Sequence, residues 1–269
     1  MSLHHPSGAG LLSLLGWLRA APALAALLAG PAVADHRVTR IDVQGRIATF
    51  VGLITPAHNA RLLEAVGGQP VDTLVITSPG GDADAGLALA REVRARGWTV
   101  RVREFCASAC ANYVFPAAQR RIVEPGALLL WHGAFSDLAT LEILERHRAM
   151  RARLADGSAR PDELAFAVET STLVQKLERL EVEVNAFAAE LGIDTRLYTL
   201  GHRPRQLARE GWTVPLALMA RFGLNGVDAP PDYGTRAYLL RWLQAQKLPD
   251  DGQIVVLTLD EGGHAVLLP

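Results

Sequence analysis

The sequence predicts an α/β fold on a mostly parallel sheet, and two observations lead there. Between Val71 and Val123, β-rich apolar runs alternate with amphipathic helical stretches in the order strand, helix, strand, helix, strand. Strands joined through helices lie parallel, with right-handed crossovers. The composition agrees. Hydrophobic residues make up 49% of the 269 residues and charged residues 20%, enough apolar surface to bury a core and too little charge for a disordered chain.

Each element has a local reason. Arg37 to Val51 alternates apolar and polar residues around a turn at Gln44-Gly45, which predicts a hairpin or two short strands. Thr55-Pro56 is an N-cap followed by proline at the first helical position, with Leu62, Leu63 and Val66 as the apolar stripe. Val71 to Thr77 reads as a buried strand. Ser78 to Asp82 is a loop, and Asp84 to Arg96 a helix closed by Gly97. Trp98 to Val102 is the next strand. A loop at Cys106–Ser108 leads into a small-residue helix, about Ala109 to Ala117, and Ile122–Val123 and Ala127–Trp131 are short strands. From Leu138 to Leu191 the chain turns helical. Arg146 to Arg160 reads as a mobile interruption, Pro161 restarts the helix, and Leu173 to Leu191 carries an apolar face at Leu177, Leu180, Val184 and Phe187. Val214-Pro215 opens a helix that ends at Phe222-Gly223-Leu224. Pro230-Pro231 is a hinge into a last helix, Tyr233 to Lys247. Ile254–Leu259 and Ala265–Leu268 form a closing hairpin with Gly262-Gly263 in its turn.

The amino terminus reads as an address. Residues 1–34 hold one charged side chain, Arg19, then the apolar run Ala20 to Gly30 and the small-residue site Pro31-Ala32-Val33-Ala34. This is a secretory signal peptide with cleavage expected after Ala34, or, if uncleaved, a membrane anchor interrupted by Arg19, Pro22 and Pro31. A periplasmic or secreted location follows. The net charge of −1 offers no electrostatic footprint for nucleic acid. Two cysteines exclude a disulfide-dense scaffold and a thiolate-only zinc site.

Three short stretches could carry chemistry. Ser78-Pro79-Gly80-Gly81-Asp82 follows a buried strand, and its paired glycines let backbone N–H groups face outward, as half of an oxyanion hole requires; an ordinary tight turn is the alternative. In Cys106-Ala107-Ser108-Ala109-Cys110, Ser108 stands at a helix start, where the helix dipole and the Ala109 N–H favour a nucleophile; a helix cap is the alternative. In Leu128-Leu129-Leu130-Trp131-His132-Gly133, His132 ends an apolar strand beside a glycine and is placed to act as a general base. His58, His147, His202 and His264 lack such a setting. No histidine pair with i, i+4 spacing follows residue 34, which argues against metal catalysis.

In this order the three stretches resemble the ClpP-like serine proteases of the ClpP/crotonase superfamily. The CASAC form behind a signal peptide looks like a secreted or periplasmic branch. The likeness runs from about Arg46 to Asp228. It implies a right-handed spiral of ββα units with helices outside, filling residues 35–229, and residues 230–269 then form a helix and hairpin extension. It further implies Ser108 as nucleophile, His132 as base, and the N–H groups of Gly81 and Ala109 as oxyanion hole. The family's acid, laid back from Phe222-Gly223-Leu224, falls near Gly211, so Glu210 is the first substitute and Asp194 the second.

Cys106 and Cys110 flank Ser108 two residues away on either side. In an oxidising compartment a disulfide between them would clamp the nucleophile's turn; two buried thiols are the alternative. Nothing in the chain reads as a Walker loop. The resemblance implies a peptidase that acts on a peptide or protein substrate, uses no cofactor and forms a homo-oligomer, and the expected location outside the cytoplasm implies that it works without ATP. Two competing functions are a catalytically inactive protein that kept the fold for binding or assembly, and a crotonase-type acyl-CoA enzyme. The last fits poorly, because CoA is not expected outside the cytoplasm.

Overall fold

The computed structural model of the chain describes residues 39–133, 138–202, 207–208 and 210–268. The expected signal segment therefore lies outside the described residues. Among the described residues, no helix is long and apolar enough to cross a membrane.

The chain opens with the expected hairpin, β1 (Arg40–Gln44) antiparallel to β2 (Ile47–Val51). Helix α1 (Pro56–Val66) starts where Thr55 accepts a hydrogen bond from the His58 N–H. β3 (Thr73–Ser78) lies parallel to β2. The Asp82 carboxylate, accepting from the Ala85 N–H, starts helix α2 (Ala83–Ala95). β4 (Thr99–Ala107) then runs parallel to β3.

This strand corrects the expected loop at Cys106–Ser108. Cys106 and Ala107 belong to β4, held between Ser78 on one side and Leu129 and Leu130 on the other. The small-residue helix is likewise shorter and wider than expected, a π-helical turn at Cys110–Val114. β5 (Arg120–Val123) and β6 (Leu128–Leu130) share one edge of β4. Thr99–Val102 pairs with β5, and Phe105–Ala107 with β6.

Helices α3 (Leu138–Ala155) and α4 (Pro161–Leu191) follow as a long hairpin. Arg146 to Ala155, expected to be mobile, is helical. Arg148 and Arg151 pair with Glu181 and Glu178 across the hairpin, and Leu144 packs with Val174 and Leu177 inside it. Glu163 closes the base of α4. It accepts from the Arg160 N–H and pairs with Arg153 at 2.6 Å.

Beyond a 3₁₀ turn at Thr195–Tyr198 come two strands too short for a sequence pattern. They are β7 (Gly211–Thr213) and, after helix α5 (Leu216–Arg221), β8 (Val227–Asp228). Helix α6 (Arg236–Ala245) is capped by Thr235, and β9 (Ile254–Leu259) and β10 (Ala265–Leu267) form the closing hairpin.

The main sheet runs β1-β2-β3-β4-β5-β8, with β6 as a second neighbour of β4, and every pairing in it except β1–β2 is parallel. A three-stranded sheet, β10-β9-β7, adjoins it. An antiparallel bridge joins the two, where Trp131 and Trp212 exchange backbone hydrogen bonds of 2.9 and 2.7 Å.

The C-terminal segment is part of this body. The Tyr233 hydroxyl accepts from the Leu129 N–H, the Tyr238 hydroxyl donates to the Ala127 carbonyl, and the Trp242 indole N–H donates to the Glu104 carbonyl. Its apolar side chains belong to one continuous core with those of the main sheet.

Candidate functional site

The candidate residues gather where parallel strands β3, β4 and β6 end. Such carboxyl ends are where ligands bind in open α/β sheets. Ser108 directly follows β4 with φ = 54°, a left-handed backbone. Side chains other than glycine enter that region at a cost of about 1–3 kcal/mol and persist there only when surroundings enforce it. The other non-glycine residue so placed among the described residues, Lys247, merely ends α6. At Ser108 the enforcement is visible. Its N–H donates to Leu130 O at 3.1 Å, and its carbonyl accepts from the Asn112 N–H at 2.8 Å. The structure also joins Cys106 and Cys110 by a disulfide, with Cα atoms 5.3 Å apart and both residues fully buried. The backbone at Ser108 is thus pinned before, at and after the serine. A sharp strand-to-helix turn of this kind presents a hydroxyl at the top of a sheet.

The disulfide carries its own expected outcome. Denatured, unreduced protein should show no free thiol. Replacing both cysteines by alanine should lower unfolding free energy by about 2 kcal/mol, the loop-closure value for so short a ring. Chemical denaturation of both proteins measures the difference.

The glycine loop closes in on the serine. Ile54 donates to Gly80 O at 2.8 Å and accepts from the Asp82 N–H at 3.0 Å, which makes the parallel bridge Ile54–Gly81. In a parallel bridge these are the flanking residues' groups, so the N–H of Gly81 itself does not donate to Ile54. A methyl group on Gly80, whose φ is 90°, would meet Ser108 Cβ at 2.6 Å and the Ala109 nitrogen at 2.9 Å. Helix α2 is equally close, since a methyl on Gly86 would lie 2.8 Å from Ala109 Cβ. The Ala109 N–H belongs to the opening turn of the helical segment, where backbone donors lack intrahelical acceptors. The diglycine loop, helix α2 and the start of the helical segment thus all close on Ser108 and Ala109.

His132 arrives from the neighbouring strand. β6 pairs Leu130 with Ala107, so Ser108 lies one residue beyond that pair and His132 two. The loop after His132 is held by Asn112, a fully buried residue whose Nδ2 donates to Gly133 O at 2.7 Å. Beside it, burial drives the Tyr113 phenol far above its usual range. The neighbouring Tyr198 adds to this, and the Asn112 side chain opposes it. The sequence reading passed over Asn112. Its signal was a lone amide in the apolar stretch Ala109 to Ala118.

The two candidate acids are placed differently. Trp212, which bridges to Trp131 immediately before His132, stands two residues after Glu210. Glu210 is buried there, and its N–H donates to Gln253 O on the way into β9. Asp194 is engaged at another corner. Its carboxylate accepts from the Arg196 N–H and guanidinium, and its own N–H donates to Phe222 O. The Arg196 side chain holds the Asp194 carboxyl below the usual carboxylate range. The structure also brings in His202, to which the sequence reading gave no role. Its ring meets Trp212 edge-on, with centroids 5.1 Å apart.

Among the described residues, no cluster of three or more histidine, cysteine or acidic side chains could hold a metal ion. No protein-family model and no curated protein matches this chain, so the site rests on its own geometry.

Proposed function

We propose that the chain is a ClpP-like serine hydrolase, most simply an ATP-independent peptidase, that uses Ser108 as nucleophile and His132 as general base. One observation carries the reading. Ser108 alone among the non-glycine candidate residues sits in an enforced left-handed turn at a strand end, between the strand that leads to His132 and a diglycine loop. A helix cap needs no such backbone, since capping serines are ordinarily extended.

The chemistry follows from the placement. The Ser108 Oγ attacks a substrate carbonyl carbon while its proton passes to the His132 imidazole. The electron pair displaced onto the carbonyl oxygen is met by the N–H groups of Gly81 and Ala109. Collapse expels the leaving amine, protonated by the imidazolium. Water, deprotonated by the same imidazole, then hydrolyses the acyl-serine. Glu210 is the favoured third member, because the Trp131–Trp212 bridge joins its segment to the one carrying His132 and the Asp194 carboxylate is already bound to Arg196. The fold we assign to this chemistry is the right-handed spiral of the ClpP/crotonase superfamily. The division of one edge of β4 between β5 and β6 supports it, as does the second sheet joined at Trp131. On this reading the protein acts outside the cytoplasm on a peptide or protein substrate, as a homo-oligomer.

A serine-directed fluorophosphonate tests the assignment. The Ser108 oxygen should displace fluoride from phosphorus and leave a stable adduct, located by peptide mass mapping. Ser108→Ala should abolish labelling, and His132→Ala should slow it by about 10³-fold or more. Folded wild-type protein without label at Ser108 would favour the catalytically inactive binding reading.

A further inference from the structure

We infer that Asn112 is a positioning residue that locks the nucleophile turn to the base loop; this rests on the assignment of Ser108 and His132 above. Two hydrogen bonds from one residue make the link. The Asn112 backbone N–H donates to the carbonyl of Ser108 itself at 2.8 Å, and its side-chain Nδ2 donates to the carbonyl of Gly133, the residue after His132, at 2.7 Å. Each acceptor is therefore on, or next to, a residue proposed to react.

The route matters because strand pairing fixes the two residues only up to the ends of β4 and β6. The last paired residues are Ala107 and Leu130, and a bond from Ser108 N–H to Leu130 O follows. Beyond it the chain carrying His132 turns away toward the Trp131–Trp212 bridge. The Asn112 amide spans the gap from the serine side. It is 1% exposed, so water does not compete for the Gly133 carbonyl, and losing the donor leaves that carbonyl unsatisfied. Asn112 itself stands on the π-helical turn Cys110–Val114, which begins at the disulfide. The wider winding of such a turn is common at functional sites. The disulfide, the turn, the amide and the histidine loop thus form one chain of contacts, with Asn112 as the joint. The serine and histidine need relative placement far tighter than folding does, since a displacement near 1 Å costs about 10²-fold in rate.

The experiment separates positioning from plain stability by using two buried asparagines. Asn59 is also buried, on α1, and its Nδ2 donates to Ala85 O at 2.8 Å. Fluorophosphonate labelling at Ser108 is read as a maximal inactivation rate and a half-saturating concentration, with thermal unfolding measured alongside. Asn112→Ala is expected to lower the maximal rate by about 10- to 100-fold while the half-saturating concentration stays within about twofold. Asn59→Ala is expected to unfold earlier than wild type yet keep the wild-type rate. Should Asn112→Ala not fold, Asn112→Leu keeps the volume, removes the donor and is expected to show the same loss. A wild-type rate in the folded Asn112 variant, or an equal loss in Asn59→Ala, overturns the inference alone. Absence of label on wild-type protein overturns the catalytic assignment, and this inference with it.

Discussion

Gly80→Ala is expected to cost more than about 3 kcal/mol of stability and to remove reactivity from whatever protein still folds. The added methyl would stand 2.6 Å from Ser108 Cβ, 2.7 Å from the Ala107 carbonyl oxygen and 2.9 Å from the Ala109 nitrogen. None of these is the end of a flexible side chain. All three belong to the turn that the disulfide and the Leu130 and Asn112 hydrogen bonds hold in place. The φ of 90° adds strain, because a Cβ is disfavoured there regardless of space. Two relaxations are available. The loop can retreat, which breaks the Ile54–Gly80 hydrogen bond and the Gly80 N–H bond to Ser78 Oγ. Alternatively, the serine can move away from the Gly81 and Ala109 donors. Either displaces a participant in the proposed chemistry. Urea denaturation gives the first quantity, and fluorophosphonate labelling of the folded fraction the second. A variant with wild-type stability and labelling would show that the loop does not press on Ser108 in solution.

Trp212→Ala is expected to destabilise the protein by about 3–5 kcal/mol, the usual range for removing a buried indole. Trp212 is fully buried, and a methyl on Gly201 would meet its ring at 2.3 Å. The ring also receives the edge of His202. Its position gives the cavity wider consequences. The Trp212 backbone bridges β7 to Trp131, just past the end of β6 and immediately before His132. Loss of the ring should therefore loosen the His132 loop as well as the small sheet. Equilibrium unfolding measures the cost, and hydrogen exchange at the Trp131 and Trp212 amides shows whether the joint opens first. A cost below about 1 kcal/mol would mean that the two sheets are held together elsewhere.

Much of the first half of the fold was legible because its signals are local. Thr55 before Pro56 marks a helix start wherever the chain lies, Thr73–Ser78 is a continuous β-rich run, and Ala83–Ala95 carries its helical period in plain view. The extent of β4 was not legible. Phe105, Cys106 and Ala107 become strand only because Ser78 and β6 stand beside them, and no side-chain alternation marks the change of neighbour from β5 to β6. β7 and β8, at three and two residues, are too short to show any period. The helical structure of Arg146 to Ala155 escaped the sequence for a related reason. Its charged side chains look solvated in isolation, yet two of its arginines meet glutamates on α4, about 30 residues along the chain.

The site divides along the same line. From the sequence alone came the candidate serine, the candidate histidine, the diglycine loop and the two cysteines, since each is a residue type at the end of a recognisable element. Only the tertiary structure decided that these ends converge. It set the left-handed backbone of Ser108, gave Asn112 its reach to Gly133 and joined the segment of Glu210 to that of His132 through the Trp131–Trp212 bridge. The physical reason is that chemical identity and local propensity are carried by neighbours in the chain, whereas a positive φ, a buried amide bond and a strand bridge exist only when distant segments supply their partners.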